Sequence, residues 1–212
     1  MIAIIDYRAG NLASVERAVR QVGCSGHVTR DPEAVRQAER VIFPGVGAAG
    51  QAMAEIRSLA MDRALREAFK TGKPILGICI GAQIVLERSA ENSAECLGIL
   101  PGRVQAFPPG LAGEDGRPLK IPHMGWNGVR VLRRHPVLEG FRPVDEFYFV
   151  HSYYPRPADH EHVLGVTSYG MEFPSIIGYR NLIACQFHLE KSGPPGLRML
   201  RNFCAWDGRH AE

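Results

Sequence analysis

The sequence lacks several features that would place it in a specialised class of protein. No apolar run approaches the roughly 20 residues that a transmembrane helix needs. The opening run, Met1–Asp6, is short and has no basic start, so no signal peptide is expected. There are five cysteines, an odd number, and none of them forms a Cys-x-x-Cys pair. Disulfide frameworks and zinc sites are therefore not expected, and we predict a soluble protein of the reducing cytoplasm with no metal and no cofactor.

An excess of charge of one sign is also missing. The 25 basic and 22 acidic side chains leave a formal net charge of +3, and they are dispersed along the chain. Such a weak and scattered excess does not indicate a nucleic-acid partner. Hydrophobic residues at 45% and charged residues at 22% are typical of globular proteins. Repeats and convincing linkers are absent, so we expect a single domain over residues 1–212.

Strands and helices alternate through the first half of the chain. Ile2–Ile5 has the pattern of a buried strand, and a helix is expected to begin after the N-cap Asn11. A further strand is predicted at Val41–Phe43. A long helix over Gln51–Phe69 then leads to a second apolar strand, Pro74–Ile78. This alternation favours an α/β fold with an open, mainly parallel sheet flanked by helices.

The second half is richer in strands, which makes the expected sheet a mixed one. The predicted strands are Val129–Leu132, Glu146–Val150, Val163–Thr167, Ser175–Tyr179 and Leu182–Phe187. The last two flank Arg180-Asn181, which is expected to form a hairpin turn. A final helix is expected to follow Ser192 as its N-cap.

The segment Gly77–Gly81, with the letters GICIG, carries the strongest chemical signal. It matches the nucleophile elbow, a strained turn between a strand and a helix where side chains beside the nucleophile would clash. Cys79 takes the place of the nucleophile. Peptide dipoles at a helix N-terminus would favour its thiolate. The motif is short, and taken alone a structural cysteine buried in an ordinary turn is an equally good interpretation.

A cysteine nucleophile needs a base, and the base needs a group that orients it. Among eight histidines, His188 is favoured because Glu190 lies two residues further on. In an extended segment both side chains would project to the same face. His188 also follows a predicted strand, and active sites of open α/β sheets collect at strand ends. A surface histidine beside a glutamate is the alternative, and only Cys79 decides against it.

Backbone donors for an oxyanion can be assigned in the same way. In elbow proteins one donor is the N–H of the residue after the nucleophile, here Ile80. The glycine loop Pro44–Gly47 follows another predicted strand and is placed to supply the second, because glycine lets the backbone approach a substrate. An ordinary glycine-containing turn is the alternative interpretation.

Two segments, Pro122–Asn127 and Tyr148–Tyr154, concentrate aromatic and polar residues. An interface or a substrate wall would explain this composition. Aromatic packing in the core, with the hydroxyl groups satisfied, would explain it equally well. The sequence leaves both interpretations open.

Several of these segments together resemble a known family. PGVG at 44–47, GICIGAQ at 77–83 and QFHLEKS at 186–192 resemble the class I glutamine amidotransferases, in this order and spacing. These proteins have a flavodoxin-like fold and a glutaminase with a Cys-His-Glu triad. PHMGWN at 122–127 and YFVHSYY at 148–154, with Asp6-Tyr7 and Gly10-Asn11, are similar to the glutaminase subunits of imidazole glycerol phosphate synthase of histidine biosynthesis. The resemblance spans essentially the whole chain.

The resemblance implies roles for the matching residues. Cys79 would attack the carboxamide carbon of L-glutamine, His188 would transfer protons, and Glu190 would orient His188. The oxyanion donors would be Gly47 or Val46, together with Ile80. The residues that hold the α-amino and α-carboxylate groups of glutamine would be Gln83, Glu91, Ser152, and Tyr148 or Tyr153. The residues that lie towards a partner would be His123, Trp126 and Lys191.

The resemblance also implies a heterodimer with a (β/α)8-barrel cyclase subunit, which would receive ammonia through its interior. The cyclase would make imidazole glycerol phosphate and an aminoimidazole carboxamide ribonucleotide. A glutaminase for another amination is the alternative, either a paralogue in sugar modification or an anthranilate-type synthase subunit. A catalytically silent binding module and a cysteine hydrolase of the α/β-hydrolase type are less favoured. In that hydrolase fold the acid precedes the histidine, whereas Glu190 follows His188.

Two residues depart from the family pattern. Arg8 stands where the family usually has the first glycine of Asp-Tyr-Gly-x-Gly-Asn, and a change there could alter the loop and its contacts with the partner. Leu189 stands where the family usually has proline between the histidine and the glutamate. Since proline restricts the backbone, its loss leaves the geometry of that pair less constrained. Neither departure removes a catalytic atom.

Overall fold

The computed structural model describes residues 1–8 and 12–209. Within them the α-helices are α1 (Leu12–Gln21), α2 (Pro32–Gln37), α3 (Ala49–Ser58), α4 (Met61–Lys70), α5 (Ile80–Ile84) and α6 (Gly193–Ala205). The strands of the first half are β1 (Ile2–Ile5), β2 (Gly26–Thr29), β3 (Arg40–Gly45), β4 (Ile75–Cys79), β5 (Arg88–Ser89) and β6 (Gly102–Ala106). Those of the second half are β7 (His123–Gly128), β8 (Arg130–Val131), β9 (Glu146–His151), β10 (Tyr153–Pro157), β11 (Val163–Ser168), β12 (Glu172–Tyr179) and β13 (Leu182–Cys185).

The largest sheet has the strand order β2-β1-β3-β4-β13-β12-β11-β8 within the described residues. The strands from β2 to β13 run parallel to their neighbours, whereas β12, β11 and β8 add antiparallel pairs at one side. The predicted fold class, an open, mixed and mainly parallel sheet flanked by helices, is therefore confirmed. Because β4 lies between β3 and β13, both of its edges are paired, and Cys79 at its end sits near the middle of the sheet.

Helices cover both faces of this sheet, which explains why its central strands are apolar throughout. Side chains alternate between the faces, so Ala3 and Ile5 pack with α2, α3 and α4, while Ile2 and Ile4 pack with α1 and α6. Two hydrophobic cores result, one on each side of the sheet. Over the described part of the chain, no helix is both long enough and apolar enough to cross a membrane.

Two small sheets lie beside the main one. In the first, β7 pairs antiparallel with β9, so that His123 lies opposite His151 and Trp126 opposite Tyr148. In the second, β6 lies between β10 and β5. Since β9 and β10 are separated only by Ser152, the polar-aromatic segment Tyr148–Tyr154 crosses from one small sheet to the other.

The helix predicted over Gln51–Phe69 is two helices, so that prediction was wrong in its continuity. The break falls between α3 and α4, where Ala60 has φ of +55°. A residue in the left-handed region ends a helix, and here it lets α4 take a new direction against α2. Alanine gives no sequence signal for such a break.

Other boundaries also differ from the predictions. The strand expected to reach Phe187 ends at Cys185, and the strand expected at 129–132 is the two-residue β8, preceded by β7, which was not predicted. The hairpin at Arg180-Asn181 is confirmed by the pairing of Tyr179 with Leu182. Ser192 precedes α6 as predicted, but its hydroxyl donates to the His188 carbonyl and makes no cap bond. The proposed N-cap Asn11 lies outside the described residues.

Both departures from the family pattern have a clear structural setting. Arg8 has φ of +64°, in the left-handed region that glycine enters without steric cost, and its guanidinium lies 3.6 Å from the Glu55 carboxylate. Leu189 is fully buried and opens the short 3-10 helix Leu189–Lys191. The leucine therefore fills core space at the turn between His188 and Glu190.

The elbow glycine Gly81 has no room for a side chain, which gives a test of the fold. An added Cβ would lie 2.1 Å from the Phe43 carbonyl oxygen, an atom that belongs to the neighbouring strand β3. We expect Gly81→Ala to lower the free energy of unfolding by about 2 kcal/mol or more, measured by urea denaturation. Gly128→Ala is the matched control, since its Cβ would meet nothing within 4 Å. Equal stability of the two variants would contradict the tight packing of the elbow.

Candidate active site

Cys79 sits on the strained turn that the sequence predicts. It is the last residue of β4 and precedes α5 directly, with φ of 54° and ψ of −106°. Gly77 is also needed, since a Cβ there would approach the Cβ of Ala184 to 2.8 Å. Strand, turn and close glycines together make the elbow. However, α5 has only five residues, so its dipole is smaller than the expected helix would give.

A cavity of about 270 Å³ lies over Cys79. The residues that line it are Val46, Gly47, Cys79, Ile80, Gln83, Glu91, Pro122, Val150, His151, Ser152, Tyr153 and His188. A larger surface groove of about 480 Å³ lies beside Lys73, but it contains neither cysteine nor histidine, so the chemistry assigns the site to the smaller cavity. Among the described residues, no group of three or more His, Cys, Asp or Glu side chains is placed to hold a metal ion.

His188 and Glu190 meet as predicted, but by a different local structure. Nδ1 of His188 lies 2.8 Å from Oε1 of Glu190, and both side chains are 3% exposed. The expected extended segment is absent, because the 3-10 helix Leu189–Lys191 turns Glu190 back towards the ring. The backbone of His188 is fixed in turn, since its N–H donates to the Tyr148 carbonyl and its own carbonyl accepts from the Ser192 hydroxyl.

The charges around His188 favour its protonated form. Burial alone would lower the pKa of this histidine, but its hydrogen bonds and attraction to Cys79 and Glu190 outweigh burial and raise the pKa to about 10. Glu190 occupies Nδ1, so Nε2 is the nitrogen left for Cys79. Within the described residues Nε2 has no hydrogen-bond partner of ordinary geometry. Such loose contacts between base and nucleophile are common before substrate binds.

Gln186 contributes to the site and was missed by the sequence analysis. It is fully buried, and its Nε2 donates to the Cys79 sulfur at 3.7 Å. Its Oε1 accepts a hydrogen bond of 3.0 Å from Nε2 of Gln83. Gln186 therefore contacts the sulfur and Gln83 at the same time. The only sequence signal was a polar residue directly after an apolar strand.

Four of the five residues expected to hold the substrate line the cavity: Gln83, Glu91, Ser152 and Tyr153. Gln83 has a buried Oε1 without a partner in the described part of the chain. Glu91 accepts from the N–H of Ala49 at 2.7 Å. Tyr148 is not among the lining residues. Of the two tyrosines between which the sequence left a choice, Tyr153 is the one that lines the cavity.

Tyr148 instead joins the residues expected to lie towards a partner. Its ring centroid is 6.0 Å from that of Trp126, and Nζ of Lys191 is 5.8 Å from the Tyr148 centroid. Trp126 is 54% exposed. Met124, two residues earlier, is 62% exposed and was not singled out by the sequence analysis. His123, which was also expected to lie towards a partner, is only 2% exposed in this chain, and its ring packs between Phe149 and Tyr169.

The ionic environment of His188 can be tested by removing the sulfur. We expect Cys79→Ala to lower the pKa of His188, because Cys79 is one of the two groups that raise it. The wild-type value lies above the ordinary 6.5, so the imidazolium stabilises the fold below pH 6.5, and this contribution is lost as pH rises towards about 10. In the variant the loss would occur at lower pH. NMR titration of the His188 ring would measure the difference, with Cys24→Ala as control. An unchanged His188 titration in Cys79→Ala would rule out the ionic pairing.

Comparisons with known proteins agree with this geometry. The family described as glutamine amidotransferase class-I matches residues 3–206. The imidazole glycerol phosphate synthase subunit HisH of Nitratidesulfovibrio vulgaris (strain DP4) is 52% identical over 205 residues, which cover 96% of this chain and 95% of that protein. The subunit of the same name from Desulfovibrio desulfuricans is 47% identical over 218 residues and covers 100% of both chains.

Solved structures share the fold at much lower identity. A crystal structure of a glutamine amidotransferase superposes with a TM-score of 0.74 at 18% identity, over 97% of this chain and 100% of that one. PurLQS from Thermotoga maritima gives a TM-score of 0.72 at 16% identity, over 96% and 97%. At such identities the likeness concerns the fold alone. From the family match and the curated relatives, the chain belongs to the class-I glutamine amidotransferases, in the group of HisH subunits of imidazole glycerol phosphate synthase.

Proposed function

We propose that this chain is a glutaminase that hydrolyses L-glutamine to glutamate and ammonia and supplies the ammonia to a synthase partner. The observation that carries the proposal is that Cys79 and His188 line one cavity, while Glu190 is paired with Nδ1 of His188. Nucleophile, base and orienting carboxylate are the three parts that acyl transfer from an amide requires.

In the first half of the reaction the Cys79 thiolate attacks the carboxamide carbon of glutamine. The C–N bond then breaks, His188 donates its Nε2 proton to the departing nitrogen, and ammonia leaves a γ-glutamyl thioester on the sulfur. In the second half His188 takes a proton from water and the resulting hydroxide attacks the thioester carbon. The C–S bond breaks, the thiolate is restored on Cys79, and glutamate leaves with its carboxyl proton lost to solvent. Glu190 keeps the ring oriented through Nδ1 in both halves.

The negative oxygen that forms in each half would be stabilised by backbone N–H groups. The N–H of Ile80 follows the nucleophile directly, and Val46 and Gly47 line the same cavity from the end of β3. Gly47 has φ of +93°, a conformation that suits glycine. We assign the oxyanion site to Ile80 together with Val46 or Gly47.

The polar groups of the cavity match the two charged groups of an amino acid. The free Oε1 of Gln83 and the carboxylate of Glu91 are acceptors suited to the α-ammonium group. The hydroxyl groups of Ser152 and Tyr153 are donors suited to the α-carboxylate. A substrate without an ammonium group would leave the Gln83 oxygen buried and unpaired, which disfavours its binding.

The partner that best fits the relatives' names is the (β/α)8-barrel cyclase of imidazole glycerol phosphate synthase, in the cytoplasm. It would join the ammonia to its nucleotide substrate and form imidazole glycerol phosphate and the aminoimidazole carboxamide ribonucleotide of histidine biosynthesis. The exposed patch of Met124, Trp126, Tyr148 and Lys191 would contact it. Aromatic anchors ringed by polar groups are typical of interfaces. A glutaminase for another amination remains the alternative, and full-length identity near 50% to the HisH subunits favours the synthase.

Removal of the nucleophile tests the chemistry. We expect Cys79→Ala to reduce glutamate release by roughly 10³-fold or more, in the presence of the barrel cyclase and its nucleotide. Cys24→Ala, which removes a half-buried cysteine that does not line the cavity, is the control and should keep full activity. Glutamate release that survives in Cys79→Ala would refute the glutaminase mechanism. Activity that depends on Cys79 but not on the cyclase would assign the chain to another synthase.

Substitution of exposed aromatic and apolar residues tests the partner surface. We expect Trp126→Ala to weaken binding of the cyclase by about 1–2 kcal/mol, measured by calorimetry. Leu132→Ala is the matched control, because Leu132 is a 44% exposed apolar residue beyond β8, outside the patch. If both variants bind the cyclase as the wild type does, the interface lies elsewhere.

A further inference from the structure

The carbonyl group of Tyr153 accepts two hydrogen bonds at the wall of the cavity. Nε2 of Gln83 donates to it at 2.9 Å, and the contact with Nδ1 of His151 is 2.8 Å. A carbonyl oxygen can only accept, so both partners must present an N–H. This one backbone group therefore fixes the amide orientation of Gln83 and the tautomer of His151.

On one side, these constraints lead to the nucleophile. With Nε2 of Gln83 on the Tyr153 carbonyl, its second N–H points at Gln186, whose contacting atom must then be Oε1. The amide nitrogen of Gln186 consequently faces the Cys79 sulfur at 3.7 Å. Within residues 1–8 and 12–209, the oxygen of Gln83 is left unpaired at the cavity. Without the Tyr153 carbonyl, the side-chain amides of Gln83 and Gln186 could each rotate by about 180° and exchange the positions of their nitrogen and oxygen.

On the other side of the Tyr153 carbonyl, hydrogen bonds run through His151 and His123 to Asn127. His151 carries its proton on Nδ1, so its Nε2 accepts, and the group that faces it at 3.0 Å must be Nδ1–H of His123. Nε2 of His123 then accepts from the amide of Asn127 at 3.3 Å. Asn127 is oriented independently, because its Nδ2 also donates to the Ser168 carbonyl at 2.9 Å and its Oδ1 accepts from the N–H of Gly128. The Tyr153 carbonyl at one end of this hydrogen-bond series and Asn127 at the other thus require the same direction of donation.

This series of hydrogen bonds requires both histidines to be neutral, since a protonated ring has no lone pair with which to accept. Burial lowers the pKa of His123 to about 4. Burial and the nearby charges of His123 and His188 lower the pKa of His151 to about 3, against its hydrogen bond to the Tyr153 carbonyl. His123 is also held in place by stacking, with ring centroids 4.8 Å from Phe149 and 4.0 Å from Tyr169. The pair is therefore fixed in both position and charge.

We propose that the Tyr153 carbonyl orients the amides of Gln83 and Gln186 for catalysis, and that His151 and His123 are positioning residues that hold this carbonyl. Gln186 then donates to the reacting sulfur, and Gln83 presents an acceptor to the substrate. The pocket wall is thus tied to strand β7 through the side chains of His151 and His123. The inference rests on the proposed function for the identity of that substrate, but the direction of the hydrogen-bond chain does not depend on it.

The tautomers can be read directly in the wild-type chain. Histidine ¹⁵N spectra at neutral pH distinguish a protonated Nδ1 from a protonated Nε2. We expect His123 and His151 both to carry the proton on Nδ1, although the Nε2–H form is the commoner one in water. A proton on Nε2 of His151 would overturn the proposal, because that ring could not donate to the Tyr153 carbonyl. This reading needs no activity, so it stands even if the chain hydrolyses no glutamine.

Two substitutions of His123 separate hydrogen bonding from packing. His123→Phe keeps a ring between Phe149 and Tyr169 but removes the donor, whereas His123→Asn loses the ring and places an amide N–H near the position of Nδ1. With the cyclase present, we expect His123→Phe to raise KM for glutamine about tenfold and to lower kcat about threefold or more, because the Tyr153 carbonyl that orients Gln83 and, through it, Gln186 loses the support of the histidine pair. In His123→Asn we expect KM for glutamine to return most of the way to the wild-type value. Wild-type KM in His123→Phe, or equal loss in both variants, would overturn the positioning role.

Discussion

The backbone at Cys79 is the constraint on which the rest of the structure depends. Its φ of 54° and ψ of −106° lie outside the regions that L-residues adopt readily, at a cost of about 1–3 kcal/mol. The conformation persists because β4 is paired on both sides and because Gly81 lets α5 pack directly on the Phe43 carbonyl. The apolar parallel strands, buried on both faces, thus hold a reactive sulfur in a position that a relaxed turn would not give.

The order of the strands explains how distant segments meet at that sulfur. β3, β4 and β13 are parallel neighbours, so their carboxyl ends share one edge of the sheet. The loop after β3, the elbow after β4, and the segment with Gln186, His188 and Glu190 after β13 therefore surround one cavity. Buried polar groups are tolerated there because they meet partners: Nδ1 of His188 lies against the Glu190 carboxylate, and Nε2 of Gln186 donates to the Cys79 sulfur.

The sequence predicts the parts that depend on local pattern or on backbone geometry. The alternation of apolar strands and helices predicts the sheet. The glycines Gly77 and Gly81 predict the elbow, because a side chain at either position would clash with its neighbours. It does not predict features that depend on packing between segments. The break at Ala60, the burial of His123 and the contact of Gln186 with the sulfur arise only once strands far apart in sequence pack together. Aromatic composition could not show that Tyr153 lines the cavity while Tyr148 faces Trp126, since that follows from the alternation along β9 and the crossing into β10.

Trapping the covalent intermediate tests most directly whether this strained cysteine is the nucleophile. The wild-type chain, mixed with the barrel cyclase, its nucleotide and isotope-labelled glutamine, would be quenched rapidly in acid and cleaved for peptide mapping. We expect the label on the peptide that contains Cys79, in a linkage that hydroxylamine cleaves as it does a thioester. Label on another residue, or no labelled peptide at any quench time while glutamate accumulates, would contradict a thioester on Cys79.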